Sequence, residues 1–339
     1  MTTAVIPPGG KGAEARTEGT DWLSAIPFLL FHLVPLLAFV TGMSLKSLVL
    51  AAVLYVTRMF FVTAGYHRYF AHKTYSMNRV AQCLMAIGGI TAAQKGPLWW
   101  AAHHRAHHRY ADTDRDPHSP RGGFWWSHVG WILSREWKGT DTSLITDLTR
   151  YPELRVVDRL QWLGPWALGV LCYVIDGWTG VVVGLAWSTV ALWHATFSVN
   201  SLAHLIGRRR YATPDDSRNS WLIALATLGE GWHNNHHHYP MAARQGFRWW
   251  ELDISFYVLK LLQGLGITRG LKKVPAKARV SRLIGSAASA ASAAKAKAVE
   301  AAEVAKATAA GAAVKAKDTA AAAAEAATAH CRVTPATGS

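Results

Sequence analysis

Four apolar stretches, at about 25–41, 48–64, 160–175 and 179–200, limit what this sequence can become. Each approaches the ~20 residues that carry a helix across a bilayer. They come in two pairs. Gly42–Lys46 breaks the first pair, and Asp176-Gly177-Trp178 the second, so each reads as a helical hairpin. Pro27 falls in the first turn of the first helix, and Pro35 should kink it. The expected fold is an all-α membrane protein with four transmembrane helices in two hairpins. A fifth apolar segment, Val80–Ala93, is too short and Gly-broken to span, and reads as interfacial or buried.

Charge orients these spans. The sequence carries +15 net, yet only 17% of its residues are charged and half are hydrophobic. The loop 65–159 holds 13 Lys and Arg and the segment after 204 holds 19, against Lys46 alone in the two hairpin turns. The positive-inside rule places both termini and the large loop in the cytoplasm, where the loop and the segment after 204 form a helical cap. Three scattered cysteines (Cys83, Cys172, Cys331) suit a reducing compartment and exclude a disulfide framework. Arg58 lies inside the second span, as an interior-facing or snorkelling residue or as a partner of a site.

Three regions follow. Residues 1–24 read as a mobile N-terminal segment without a secretory cleavage site. Residues 25–284 form the membrane domain. Residues 285–339 read as an Ala- and Lys-rich low-complexity tail, with Ala at 25 of the 43 positions from 287 to 329.

The sixteen histidines call for chemistry. Nine fall in four groups: His67 and His72; His104, His107 and His108; His204, with Asn200 one helical turn before it; and His233, His236 and His237. The second and fourth groups share the spacing i, i+3, i+4, which puts their rings on one helical face. Imidazole suits iron, copper, zinc and nickel. Nine rings exceed the four ligands one zinc usually takes, so more than one ion is implied. His32, His118, His128, His194 and His330 read as ordinary satisfied polar residues, and His103 and His238 fall outside the repeated spacing. Asp114, Asp116 and Glu230 are candidates to fix the orientation of the ligand rings.

The sequence H-x-x-x-x-H, H-x-x-H-H, H-x-x-H-H resembles the membrane fatty-acyl desaturases, in particular the stearoyl-CoA (Δ9) branch. Flanking text is similar too: Thr63-Ala-Gly-Tyr-His-Arg68, Asp114-Arg-Asp-Pro-His-Ser119, Trp125-Trp-Ser-His-Val-Gly-Trp131, Asn200-Ser-Leu-Ala-His204 and Gly229-Glu-Gly-Trp-His-Asn-Asn-His-His237. The resemblance covers about residues 25–265. It implies a di-iron centre in the cytoplasmic cap that uses O2 to insert a double bond into a long-chain fatty-acyl substrate. His67, His72, His104, His108 and His237 would hold one iron. His107, His204, His233 and His236 would hold the other, with Asn200 reaching it through water. Gln94, Trp100, Trp131 and Thr196 would line the acyl tunnel. Tyr55 and Met59, one turn apart on the second span, would set chain length if they face the tunnel's end.

The resemblance breaks at one place. Ala102 and His103 stand where animal acyl-CoA enzymes carry an Arg-Asp pair that contacts the CoA head. Acyl-CoA is still the expected substrate, with Arg105, Arg109, Arg121 and Arg135 as phosphate partners, and acyl-lipid or acyl-carrier-protein substrates are the alternatives. No flavin, dinucleotide or haem motif is present, so electrons must come from a ferredoxin or a small b-type cytochrome with its reductase. The competing classes are a membrane fatty-acyl or alkane hydroxylase, a metal transporter and a nucleic-acid-binding protein. Transporters hold ligands near the bilayer midplane, no nucleic-acid recognition motif appears, and the text around His204 and His233 favours desaturation.

Overall fold

The computed structural model describes residues 19–285. The expected mobile lead-in falls outside them up to residue 18, as does the Ala-rich tail beyond Gly285. The fold is helical, with one two-stranded antiparallel ribbon pairing Ser76–Met77 with Thr268–Arg269. Among the described residues, three helical segments are long and apolar enough to cross a membrane: Trp22–Thr41, Leu45–Ala71 and Leu163–Leu205.

The first begins earlier than expected. Asp21 caps it by accepting from the Ser24 backbone N–H. Pro27 therefore sits past the first turn, and the backbone tightens to a 3-10 turn at Val34–Leu37, around Pro35. The second starts at a reciprocal Ser44–Ser47 capping box. It runs as an α-helix over Leu45–Phe60 and as a π-helix over Phe61–Ala71.

The expected third and fourth stretches share the 43-residue segment Leu163–Leu205. Its backbone leaves helical geometry at Asp176 and Gly177, where Gly177 takes φ +57°. A side chain at Gly180 would place its Cβ 2.2 Å from the Cys172 carbonyl, so only glycine lets the chain double back there. This turn lies against the one before the second segment: Ser44 Oγ donates to Asp176 Oδ2 at 2.7 Å. The first segment lies along residues 179–197. Trp187 Nε1 donates to the Pro35 carbonyl at 3.0 Å, and Phe28 stacks on Trp193 at 5.2 Å.

Arg58 faces the protein interior. Its guanidinium donates to Ser188 Oγ at 2.5 Å, Thr189 Oγ1 at 2.6 Å and the Leu54 carbonyl at 3.1 Å. That is the interior-facing reading rather than a partner of the histidines. The short apolar segment is the helix Arg79–Ile90, with Val80, Leu84 and Ile87 exposed and Met85, Ala86 and Ile90 buried. One face of this helix is thus part of the core and the other is exposed.

The helix Pro97–Tyr110 carries the second histidine group. Pro at its first position costs no hydrogen bond. Its open N-terminus is capped from afar, because Asp158 Oδ1 accepts from Leu98 N at 2.8 Å and Trp99 N at 3.2 Å. Asp158→Ala should therefore destabilise the protein by about 1–2 kcal/mol. Thermal unfolding in detergent would read this, and an unchanged midpoint would show that the cap carries no stability.

Candidate metal centre

The first histidine pair has a spacing that an α-helix would waste. At about 100° per residue, positions i and i+5 point ~140° apart. Here the π-helix Phe61–Ala71 bonds i to i+5, and the His72 N–H donates to the His67 carbonyl at 3.1 Å. The wider turn brings residues five apart closer in direction, and the His67 and His72 rings meet edge to face at 4.9 Å. The odd spacing in the sequence was the only signal of this π-helix.

The other two triplets split instead of sharing one face. Positions i and i+4 differ by ~40°, whereas i+3 and i+4 differ by ~100°. On Pro97–Tyr110, His104 and His108 join one cluster and His107 the other. On His233–His238 the roles reverse: His233 and His237 stay together and His236 joins the opposite cluster. One cluster is His67, His72, His104, His108 and His236; the other is His107, His204, His233 and His237. All nine histidines singled out in the sequence thus come together. The division implied by the family resemblance is corrected, since His236 and His237 exchange places. The reason is the i, i+4 geometry, which ties His237 to His233.

Within each cluster the potential ligand atoms lie within 4.8 Å of one another. Nε2 is the converging atom. The pairs His67–His236, His72–His104 and His108–His236 lie at 3.0, 2.8 and 2.8 Å; His107–His237 and His204–His233 lie at 3.2 and 3.1 Å. Imidazole nitrogens about 2.1 Å from one metal ion, at right angles to each other, would be ~3 Å apart. The clusters fit metal ions.

Four buried carboxylates fix the rings from behind. His67 Nδ1 meets Glu230 Oε2 at 2.6 Å, His107 Nδ1 meets Asp116 Oδ2 at 2.9 Å, His204 Nδ1 meets Asp112 Oδ1 at 3.1 Å, and His237 Nδ1 meets Asp215 Oδ2 at 3.0 Å. An N–H donated at Nδ1 leaves the Nε2 lone pair for a metal. Asp116 and Glu230 were among the sequence candidates. Asp114 is exposed, and Asp112 and Asp215 take the places the sequence left unassigned. Burial and neighbouring imidazoles hold His72, His104, His108, His233 and His236 well below the usual imidazole range, so these rings are neutral. Burial resists ionising Asp116, Asp215 and Glu230, but the facing histidines, joined at Glu230 by Arg68, hold all three carboxyls low.

Neighbouring residues brace the shell. Arg68 binds Glu230 through Nε at 2.9 Å and Nη2 at 2.8 Å, and Asp253 through Nη1 at 2.9 Å. The buried Asn234 accepts from the backbone of Arg210 at 2.7 Å and of Tyr211 at 2.8 Å. Asn235 donates to Glu251 Oε2 at 2.9 Å and to the Gln245 carbonyl at 3.1 Å. These two asparagines explain why His233 and His236 are separated by polar residues. His118, expected to be an ordinary polar residue, lies 4.3 Å ring to ring from His107 and beside Asp116.

Asn200 departs from expectation in its backbone. The helix Ser188–Asn200 ends there, and a separate turn, Leu202–Leu205, carries His204. The two residues therefore do not share one continuous helical face.

An apolar cavity of about 800 Å³ adjoins the first cluster. Gln94, Trp100 and Trp131 line it, and Trp100 stacks on His104 at 4.9 Å. Thr196 stands behind Gln94, whose Nε2 donates to Thr196 Oγ1 at 2.7 Å. Tyr55 and Met59 are not among the lining residues. Met59 packs behind Trp193 and Phe197, and Tyr55 donates to the Ala226 carbonyl at 2.7 Å. Ala102 and His103 are buried, with His103 stacked on Trp99. Arg105 binds Asp147 and the carbonyls of Phe70, Ala71 and Leu144, so it is not available to a phosphate.

Residues 44–261 match the family described as fatty acid desaturase. The sequence is 36% identical to the sn-1 stearoyl-lipid 9-desaturase of Anabaena variabilis, over 74% of this chain and 94% of that protein. It is 37% identical to the sn-2 palmitoyl-lipid 9-desaturase of a Nostoc species, over 80% of this chain and 95% of that protein. It is 35% identical to the icosanoyl-CoA 5-desaturase of Limnanthes douglasii, over 66% and 63%. Lipid-linked and CoA-linked relatives both occur, so the similarity is not specific to the stearoyl-CoA branch.

Replacing Asp215 by Ala should weaken transition-metal binding ~10–100-fold, while Asp114→Ala leaves it unchanged. Metal analysis after dialysis against a graded chelator tests this, and equal retention in both variants would rule out the assigned role of Asp215.

Proposed function

Because the chain belongs to the fatty acid desaturase family, we propose that it is an integral-membrane di-iron enzyme. It inserts a cis double bond, at Δ9, into a saturated long-chain acyl group. The observation that carries this reading is the gathering of nine histidines into two clusters beside an apolar cavity.

His67, His72, His104, His108 and His236 would hold one iron, and His107, His204, His233 and His237 the other, with Asn200 contributing through water. Two iron ions, when bound, would activate O2 into the strong oxidant of the acyl chain that no side chain can supply. The rest falls to this chain's own residues. Glu230, Asp112, Asp116 and Asp215 keep the ring tautomers fixed. Gln94, held by Thr196, and Trp100, stacked on His104, position the acyl chain at the clusters. Alignment there selects which carbon pair reacts.

We assign the substrate as lipid-linked, with acyl-CoA as the alternative. Trp166, Val170, Tyr173 and Trp178 line the cavity and are at the same time at least half exposed on the apolar segment Leu163–Thr179. An acyl chain still attached to a bilayer lipid can enter along such a wall. Ala102 and His103, which replace the CoA-contacting Arg-Asp pair of animal acyl-CoA enzymes, are buried, and Arg105, one of the expected phosphate partners, is committed to Asp147. Four membrane crossings, with the break at Asp176–Gly177 as the second turn, put both termini and the histidines in the cytoplasm under the positive-inside rule. A ferredoxin or a small b-type cytochrome with its reductase supplies electrons to the basic face. Nucleic acid is not a partner.

Expression in a host lacking unsaturated fatty acids, with iron and a ferredoxin system supplied, tests the activity. Methyl ester analysis should show Δ9 monoenes. Their absence, or an alcohol in their place, would refute desaturation. His107→Ala and His236→Ala should each abolish the product while the protein still reaches the membrane fraction. Purified protein in vesicles given matched stearoyl-lipid and stearoyl-CoA should convert the lipid faster; the reverse order would restore acyl-CoA.

A further inference from the structure

A second cavity, of about 370 Å³, is lined by none of the clustered histidines. Distant parts of the chain meet around it. The π-helix brings Tyr69, the turn after it Lys73, the helix Arg79–Ile90 Gln82, the segment before Pro152 Asp147 and Arg150, and the chain beyond Thr268–Arg269 Lys272.

Its chemistry is the opposite of the apolar cavity's. Lys73, Arg150 and Lys272 are exposed, and Asp147 is the one acid facing them in the wall. That acid is already shared, because its carboxylate meets Lys73 Nζ at 2.6 Å and Arg105 Nη1 at 2.6 Å. Arg150 lies over the Tyr151 ring, 4.8 Å from its centre, and donates one bond, from Nη2 to the Tyr151 hydroxyl at 2.8 Å. A guanidinium has five donors in a fork, so a stacked one with one bond spent can still meet an anion. The Lys272 ammonium has no polar partner among the described residues.

Beneath this exposed rim is a buried amide. Gln82 is 3% exposed. Its Oε1 accepts from the Tyr69 hydroxyl at 2.9 Å, and its Nε2 has no hydrogen-bond partner among the described residues. A buried donor without an acceptor is rare and costly. Cations at the rim and an open donor at the base together suit an oxyanion. Because the donors come from separate segments and approach from different sides, a tetrahedral phosphate suits them better than a planar carboxylate.

The helix that carries Gln82 also borders the membrane segments. Its Val80, Leu84 and Ile87 are exposed. At its end Ile90 lies so near Gly164, at the start of Leu163–Leu205, that a Cβ on Gly164 would be 2.8 Å from the Ile90 carbonyl carbon. One end of this helix thus touches the beginning of a membrane segment, which sets the cavity near the level of lipid head groups. Basic pockets at that level recognise lipid phosphates.

We propose that this cavity binds the phosphate of an anionic bilayer lipid, with Lys73, Arg150 and Lys272 around it and Gln82 Nε2 donating from the base. The site is separate from the proposed chemistry at the histidines and does not depend on it.

Titration of the full-length protein in detergent with dioctanoyl phosphatidylglycerol, followed by native mass spectrometry, tests the site. Arg150→Ala and Lys272→Ala should each weaken binding roughly fivefold. Lys277→Ala, which removes an equal charge outside the cavity, should leave it within twofold. Gln82→Glu keeps an acceptor for the Tyr69 hydroxyl but replaces the open donor with a carboxylate oxygen, and should weaken binding at least as much as the loss of either cation. Equal losses in Lys272→Ala and Lys277→Ala would overturn the site in favour of diffuse surface charge. Wild-type affinity in a Gln82→Glu protein that unfolds at the wild-type temperature would also overturn it. If that variant does not fold, the comparison of the exposed cations decides alone. Inorganic phosphate and dioctanoyl phosphatidylcholine identify the source. Both should bind at least tenfold more weakly than phosphatidylglycerol. Inorganic phosphate binding as tightly would make the ligand a soluble phosphate and overturn the lipid assignment, and phosphatidylcholine binding as tightly would overturn the preference for an anionic head.

Discussion

A buried imidazole is oriented for a metal when its other nitrogen donates its proton to a fixed acceptor. Four carboxylates do this for His67, His107, His204 and His237, and buried residues around them hold the acids in place. Glu230 faces His67 and is itself held by Arg68, which spans to Asp253. Asp253 in turn caps the helix Ile254–Gly264 through the Phe256 N–H. Asp112 accepts from both His204 and the Asp216 backbone. The histidine clusters and the packing around them are thus one network of charge. Removing one acid leaves a neighbour buried and unpaired, which costs more than the lost hydrogen bond.

Much of this was legible in the sequence, and the parts that were not share a cause. Apolar runs exposed the membrane segments because lipid demands length and little else. The nine histidines stood out because their residue type and spacing are rare. Long-range pairings left no local trace. Asp112 and Asp215 look like ordinary loop acids until folding brings them to His204 and His237. Asp158 caps a helix about sixty residues away. The exchange of His236 and His237 is different in kind, since the helical angle already contained it and family analogy outweighed that angle.

The apolar cavity gives the membrane segments a second role. Phe28, Phe31 and Trp193 line it while also packing the first segment onto the one carrying His194. The same rings that hold two helices together therefore shape the apolar cavity. Trp166 and Tyr173 face both the cavity and the apolar exterior, so an acyl chain entering there as proposed would meet no abrupt change of polarity.

The reversed assignment of the two histidine helices has a consequence for assembly. Pro97–Tyr110 gives two rings to one cluster and one to the other, and His233–His238 does the opposite. Neither cluster can be completed without positioning both helices. A metal ion entering either one therefore organises ligands for its neighbour, so loading should be cooperative, with protein carrying a single ion scarce at equilibrium. Sharing the helices in this way disfavours a half-filled pair of clusters.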